Sequence, residues 1–381
     1  MTFQRPAGSL YPEVKGDKTY CTGMEYRSCI RSGSDYCENS FTHSSSIMHK
    51  RKDMESFALL TLLLFMVGAE KLCSSSDGIL MPRHSALRAG IPIDRPAVGV
   101  NRLCGSGFQA VVSGAQNIIA GDSNVVLTGG AENMSQSPFV VRDTRFGTVL
   151  GTPIQFEDSL WLGLTDTYCM TPMGVTAENL AEKYSIPREE VDRFALRSQT
   201  SWKKAYDSGY FKEELAPITV KVKGKEQVVD MDEHPRPQTT LEGLAKLPTV
   251  FKKTGVVTAG SSSGICDGAG AVILASEKAV NELGLKPLAR LVGYSVVGVE
   301  PTVMGIGPAP AIEKLLKAAG KKLSDIDLVE INEAFGAQTL ACQKELKLDL
   351  EKLNVNGGAI ALGHPLAASG ARITTHLVHE L

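Results

Sequence analysis

Asn101-Arg102-Leu103-Cys104-Gly105-Ser106-Gly107 runs into Phe108 to Ala120, an Ala-, Val- and Ile-rich stretch with the spacing of an amphipathic helix, and then into the apolar run Val125 to Leu127. A Gly-rich turn that opens a helix and is followed by a short strand is a unit of α/β architecture. Cys104 stands immediately before the helix, where free backbone N–H groups and a partial positive charge favour a thiolate and an oxyanion. A cysteine is as a rule a small buried hydrophobe. The glycines on either side of Ser106 point further, because they let the backbone come close to a bound group, which a merely packed thiol does not require.

Outward from this turn the same texture continues. Ala271 to Ala275 is a second short apolar strand, and Leu328 to Ile331 a third, running straight into Asn332-Glu333-Ala334-Phe335. Between the first two strands lies a long region of different character, with helices expected over Thr176 to Lys183 and Arg188 to Ser208 and charged, Pro-broken turns. It reads as an insertion covering the sheet. A weak internal repeat of strand, Gly-rich turn and helix occurs around Cys104 and again around Gly357 to His379, where the second copy is incomplete.

The chain has 381 residues, 43% hydrophobic and 22% charged, with a net charge of −2, which suits a soluble globular protein with a large core and gives no reason to expect nucleic acid or an acidic membrane as partner. Eight cysteines without a Cys-x-x-Cys pair argue against a disulfide scaffold or a zinc motif. Residues 1–73 mix Cys21, Cys29 and Cys37 with Ser, Tyr, Thr and Arg without a sustained period, and read as a poorly ordered head. Near its end, Phe57 to Ala69 is an apolar run expected to form a buried helix. At ~20 Å such a helix falls short of a bilayer's ~30 Å hydrocarbon core.

His364 lies in Asn356-Gly357-Gly358-Ala359-Ile360-Ala361-Leu362-Gly363-His364-Pro365, on a loop before a helix whose start Ser369-Gly370 signals. A neutral imidazole beside Cys104 removes the thiol proton. Asn332 and Glu333 end a buried strand, so each must find a partner or face a cavity, and an amide there can hold a water beside an oxyanion. Asp232-Glu233-His234-Pro235-Arg236-Pro237-Gln238-Thr239-Thr240 lacks a regular metal spacing, and Arg236 reads as an anion or nucleotide contact. Thr258-Ala259-Gly260-Ser261-Ser262-Ser263-Gly264 offers backbone N–H groups and hydroxyls to a ligand without being a P-loop.

Together, Arg102-Leu103-Cys104-Gly105-Ser106-Gly107, Asn332-Glu333-Ala334-Phe335 and Gly363-His364-Pro365 resemble the motif set of the thiolases, in family order, and nearest to the mitochondrial members that cleave 3-ketoacyl-CoA. The resemblance runs from about Ser74 to Leu381 through Arg145-Phe146-Gly147, Glu157-Asp158-Ser159-Leu160-Trp161 and Thr176-Ala177-Glu178-Asn179-Leu180. It implies a thiolase-like α/β fold of two similar βαβ-type halves with an inserted loop domain, the second half incomplete. The implied divisions are a head at 1–73, an N-terminal domain at 74–278 holding a loop domain at about 131–262, and a C-terminal domain at 284–381.

The resemblance further implies a CoA-dependent acyltransferase of fatty-acid β-oxidation, in a mitochondrion. Cys104 would carry the acyl group as a thioester, His364 would raise its nucleophilicity, and Asn332 would hold an oxyanion-site water. Arg236, Thr239 and Ser263 would contact coenzyme A. Acyl-CoA, 3-ketoacyl-CoA and CoA are the implied substrates, with no metal or redox cofactor, and a homodimer or homotetramer is the implied assembly. Pro172-Met173 stands where acetoacetyl-CoA-specific relatives often have histidine, leaning toward medium-chain substrates.

Two residues depart from the pattern: Ala367 replaces a glycine and Ser261 an asparagine. The family's second cysteine, in a C-terminal Cys-x-Gly-x-Gly motif, has no counterpart here, and Cys342 is no substitute. Full thiolysis is therefore expected to be impaired while acylation of Cys104 survives. The alternative is a non-catalytic CoA-binding or subunit-interaction protein.

Overall fold

The computed structural model describes residues 78–381 together with the backbone of strands 2–4, 19–27 and 63–69. Its centre is a seven-stranded sheet. In chain order the strands are β1 (Thr2–Gln4), β2 (Thr19–Arg27), β3 (Leu63–Ala69), β4 (Ala97–Val100), β5 (Val125–Glu132), β6 (Gly268–Ser276) and β7 (Ala289–Gly293). Their order across the sheet is β1-β7-β2-β6-β5-β3-β4, with β3 parallel to β4 and β5 and the other pairs antiparallel.

β5 is buried at every position, as an apolar strand covered on both faces must be. Its side chains alternate between two helix layers. Val126 joins Val111, Ala115 and Ile118 of α2 (Ser106–Ala120), whereas Leu127 joins Ala86 of α1 (Met81–Arg88) on the opposite face. Beyond β5 the chain builds a second and larger core. There α3 (Met173–Lys183), α4 (Arg188–Asp207) and α5 (Gly336–Leu346) contribute Leu180, Val191, Phe194 and Leu340, with Ile331 and Ile360 among them. The expected insertion helices are thus present, within a residue or three of their expected limits.

The last helix, α6 (Leu366–Glu380), lies beside α2 on the sheet. Two glycines permit this close approach. A Cβ at Gly130 would lie 1.9 Å from the Ala367 carbonyl oxygen, and one at Gly107 would lie 2.5 Å from the Ala371 nitrogen. Both contacts are with backbone, which cannot swing aside.

Three sequence expectations are corrected. Within Phe57 to Ala69, residues Leu63–Ala69 form β3 rather than a helix, and the earlier part lies outside the described residues. An unbroken apolar run serves a strand flanked on both sides as well as a helix, and here the pairing with β4 and β5 decides. Where poor order is expected for the 1–73 head, three strands, β1, β2 and β3, are described, and the rest of it lies outside the described residues. β2 escapes the period-2 test because its register on β6 shifts between Val272 and Leu274. Finally, Leu328 to Ile331 makes one bridge, Val329 to Leu353, and no ladder. The Asn354 side chain replaces the missing strand, accepting from the Ile331 N–H at 2.9 Å and donating to its carbonyl at 2.8 Å.

Candidate active site

Cys104 occupies a turn held by its neighbours. The Arg102 N–H donates to Ser106 Oγ at 2.9 Å, and the Ser106 hydroxyl donates to the Leu103 carbonyl at 2.6 Å. Asn101 Oδ1 accepts from the Leu103 N–H at 2.8 Å. These bonds hold Leu103 at φ 49°, a left-handed conformation that costs a non-glycine residue about 1–3 kcal/mol. The following residue is presented at the start of α2, half-buried and in no disulfide. Its side chain packs with Met134 and with Leu366, the first residue of α6.

His364 reaches the same place from the other helix. Its backbone N–H donates to the Gly264 carbonyl at 3.0 Å, and its ring is 5% exposed. Burial, with the Arg372 charge adding to it, pushes the imidazole pKa down to about 3, so the ring is neutral across the physiological range and able to take a proton. Nδ1 lies 2.5 Å from Ser369 Oγ. The sequence signals a helix start at Ser369-Gly370; α6 instead begins at Leu366 after Pro365, and the Ser369 hydroxyl lies against the histidine ring.

The two polar residues at the end of the Leu328 to Ile331 segment part company. Glu333 is fully buried and partnered: Ser198 Oγ donates to it at 2.6 Å, Asn354 Nδ2 at 2.9 Å and the Ile360 N–H at 3.1 Å. Burial raises its pKa, and these three donors oppose the rise. Asn332 turns to the site, with Nδ2 3.4 Å from Nδ1 and 3.3 Å from Nε2 of His364. Its Oδ1 is buried and takes no hydrogen bond from the protein, the arrangement an amide needs to hold a water.

The 258–264 loop zips onto this motif. Ser263 donates to the Ala334 carbonyl through its N–H at 3.0 Å and its hydroxyl at 3.1 Å, and the Gly336 N–H donates to the Ser261 carbonyl at 2.8 Å. Gly264 therefore touches both His364 and, across the loop, the His234 ring, whose Cε1 would lie 2.0 Å from a Cβ at that glycine. The Arg236 and Thr239 turn follows. The Arg236 Nη1 donates to the Glu233, His234 and Pro235 carbonyls, and Thr239 Oγ1 donates to the Arg236 carbonyl at 2.7 Å. Arg236 is exposed, so its guanidinium stiffens its own loop while facing solvent.

Gln199 was not singled out by sequence, yet it joins the two sides. Its Oε1 accepts from the Arg236 N–H at 2.8 Å, and its Nε2 donates to the Ile360 carbonyl at 3.2 Å. No local pattern marks a glutamine on a helix for such a bridge. Cys342 is excluded as a second nucleophile: it is fully buried, and burial pushes its thiol up to about 12. Among the described residues no group of His, Cys, Asp and Glu could hold a metal ion, and no helix is long and apolar enough to cross a membrane.

Comparison with known proteins adds a second line of argument. The family model described as "Thiolase, N-terminal domain" matches residues 67–278 and "Thiolase, C-terminal domain" matches residues 285–381. The mitochondrial 3-ketoacyl-CoA thiolase of Bos taurus is 62% identical over 308 residues, 81% of this chain and 78% of that protein. The crystal structure of human mitochondrial 3-ketoacyl-CoA thiolase superposes with a TM-score of 0.89 at 52% identity, covering 96% of this chain and 92% of the other. The human enzyme in complex with CoA gives a TM-score of 0.88 at 51% identity, over 96% and 91% of the two chains.

Proposed function

This chain belongs to the thiolase family and is an acyltransferase of the acyl-CoA:acetyl-CoA C-acyltransferase type, and from that premise we propose how its residues perform the reaction. His364 Nε2 takes the Cys104 thiol proton, and the start of α2 favours the thiolate. The thiolate attacks the 3-keto carbon of a 3-ketoacyl-CoA. The bond between that carbon and C2 breaks, its electron pair leaves on acetyl-CoA as an enolate that takes the proton His364 received from Cys104, and the acyl group remains on Cys104 as a thioester. Coenzyme A then gives its thiol proton to the base, attacks the thioester and departs as acyl-CoA, returning Cys104 to its thiolate. His364 and a water on Asn332 stabilise the oxyanion in both steps.

Coenzyme A is the proposed partner of Arg236, Thr239 and Ser263, which stand on the two loops joined at Gly264. No metal or redox cofactor enters this chemistry. The proposed domains are 74–278, with the loop domain at about 131–262, and 284–381. A homodimer or homotetramer is proposed, supported by a run of exposed apolar side chains, among them Phe146, Leu150, Phe156 and Trp161, in the inserted region. Mitochondrial residence is proposed from the named location of the similar bovine and human proteins.

One observation carries the acylation step: two helix starts, one bearing a half-buried cysteine and the other a buried neutral histidine, locked together through backbone at Gly107. Incubation with acetyl-CoA followed by intact-mass measurement tests it. A gain of one acetyl group, lost in Cys104→Ala, is expected. Folded protein that binds CoA without acquiring that mass would instead be the non-catalytic CoA-binding alternative.

A further inference from the structure

We infer that Glu333 is a positioning residue that fixes the distance between Asn332 and His364, the two groups of the oxyanion site. The inference rests on the oxyanion role proposed above for those two residues. Asn332 is clamped through both of its chain neighbours by one network. Before it, the Ile331 N–H and carbonyl are both taken by the Asn354 side chain. After it, the Glu333 carboxyl enters the core, where Oε1 accepts from Asn354 Nδ2 at 2.9 Å, and Oε2 from Ser198 Oγ at 2.6 Å and the Ile360 N–H at 3.1 Å.

The same carboxyl grips the chain that leads to His364. Ile360 lies four residues before the histidine, and Ser198 Oγ, on α4, accepts from the Gly358 N–H at 3.1 Å. There is no slack in this seat. A Cβ at Gly358 would lie 2.3 Å from Glu333 Cδ, and one at Gly357 would lie 2.5 Å from the Ser198 carbonyl oxygen. An amide of the same shape does not fit it. A backbone N–H only donates and a carbonyl only accepts, so the two bonds to Ile331 fix the Asn354 amide with Nδ2 toward Oε1. In either protonation state of Glu333, then, Oε1 must accept from Asn354 and Oε2 from Ile360. A glutamine sets its NH₂ against one of those donors whichever way it turns, and pushes apart the segments that carry Asn332 and His364.

The full chain and its Glu333→Gln, Ser198→Ala and Asn332→Ala variants test this through two reactions of Cys104. Acetylation by acetyl-CoA passes through a tetrahedral oxyanion, whereas alkylation by iodoacetamide displaces iodide at carbon and forms none. Removing an oxyanion donor outright costs about 10²- to 10³-fold, so Glu333→Gln, which displaces one, should slow acetylation about 10- to 100-fold. The apparent KM for acetyl-CoA and the limiting alkylation rate at alkaline pH should stay at wild-type values, a split that loosening of the core at large would not produce. Ser198→Ala, which leaves the carboxyl two of its three donors, should slow acetylation about 2- to 10-fold, the scale of one hydrogen bond. Wild-type acetylation in Glu333→Gln, or in Ser198→Ala should the glutamine variant not fold, overturns the inference, as does equal slowing of acetylation and alkylation. If Asn332→Ala acetylates at the wild-type rate, it is the underlying reading of Asn332 that fails.

Discussion

Two helices begin at this site, and they are built in opposite ways. At the start of α2 the turn is strained and partly open: Leu103 is held left-handed without being glycine, and Cys104 keeps part of its surface exposed. At the start of α6 the left-handed residue is Gly363, which bears φ 90° without strain, and His364 is sealed in. A nucleophile must be reached by its substrate. A base must be dry and held in place, which burial and the contact with Ser369 provide. The same turn-then-helix unit, used twice, serves exposure in one copy and enclosure in the other.

The sharpest way to break this comparison is to remove either group. His364→Asn should lower the rate of Cys104 acetylation by roughly 10² to 10⁴, the worth of a positioned general base, while Cys104→Ala should abolish it. Because the His364 pKa lies near 3, no loss of acetylation should appear as the pH falls through the ordinary histidine range near 6.5. A rate that halves near pH 6.5 in stopped-time mass measurements would show the ring to be ordinary and solvated.

Next in size is the joint between the helices. Gly107→Ala would place a methyl 2.5 Å from the Ala371 nitrogen and 2.8 Å from the Ala367 carbonyl oxygen. Overpacking of a core costs about 1–3 kcal/mol, and contact with backbone puts this change at the upper end. Urea unfolding should show the loss, and acetylation should fall with it because the cysteine and histidine turns separate. A variant as stable and as active as the parent would mean that the two helix starts are not mutually positioned.

How much of this was legible before the structure depends on how local each signal is. The turn at Cys104, strands β5 and β6 and helix α2 could be read because their glycines, apolar runs and spacing lie within a few residues of one another. The fold and the acyltransferase activity were legible through three motifs together. β3 was misread because an apolar run carries no period that separates a strand from a helix, and only its neighbours decide. The partners of Glu333 come from Ser198, Asn354 and Ile360, and Gln199 ties Arg236 to Ile360, so no window of sequence contains either set. Ser369-Gly370 signals a helix start in the sequence, whereas the helix begins at Leu366 and the Ser369 hydroxyl lies against the His364 ring.

A smaller effect should come from the Cys104 turn itself. Ser106→Ala removes the part-buried acceptor of the Arg102 N–H and one of the two donors to the Leu103 carbonyl, the other being the Ser106 N–H. Losing a part-buried hydrogen bond costs about 0.5–1.5 kcal/mol, part of which is returned if Leu103 relaxes out of its left-handed conformation. The expected result is a modest loss of stability in urea with a larger loss of acetylation rate, since the turn that aims the thiol is gone. Equal acetylation rates would show that Cys104 is placed by its packing on Met134 and Leu366 instead.

The smallest effect lies at the far end of α6, where enclosure continues with charge inside it. Glu330 has its Oε2 buried without a hydrogen-bond partner, although the residue as a whole is partly exposed. Burial raises its pKa to about 7 from the usual 4.5, and the His376 and Arg372 charges on α6 only partly offset this, while Glu333 and Glu214 add to it. The folded protein therefore binds a proton that the unfolded chain gives up between pH 4.5 and 7, so this group's contribution to stability is full below 4.5 and is lost as the pH rises through 7. Glu330→Gln, neutral at every pH, should raise the melting temperature by ~2–4 °C at alkaline pH and leave it unchanged under acid conditions. His376, whose Nδ1 lies 3.0 Å from Glu214, has its pKa raised chiefly by that carboxylate against the pull of burial, and it should retain this bond in the variant. A gain of the same size at both extremes of pH would mean that Glu330 is already ionised and solvated, and that α6, like α2, meets water along more of its length.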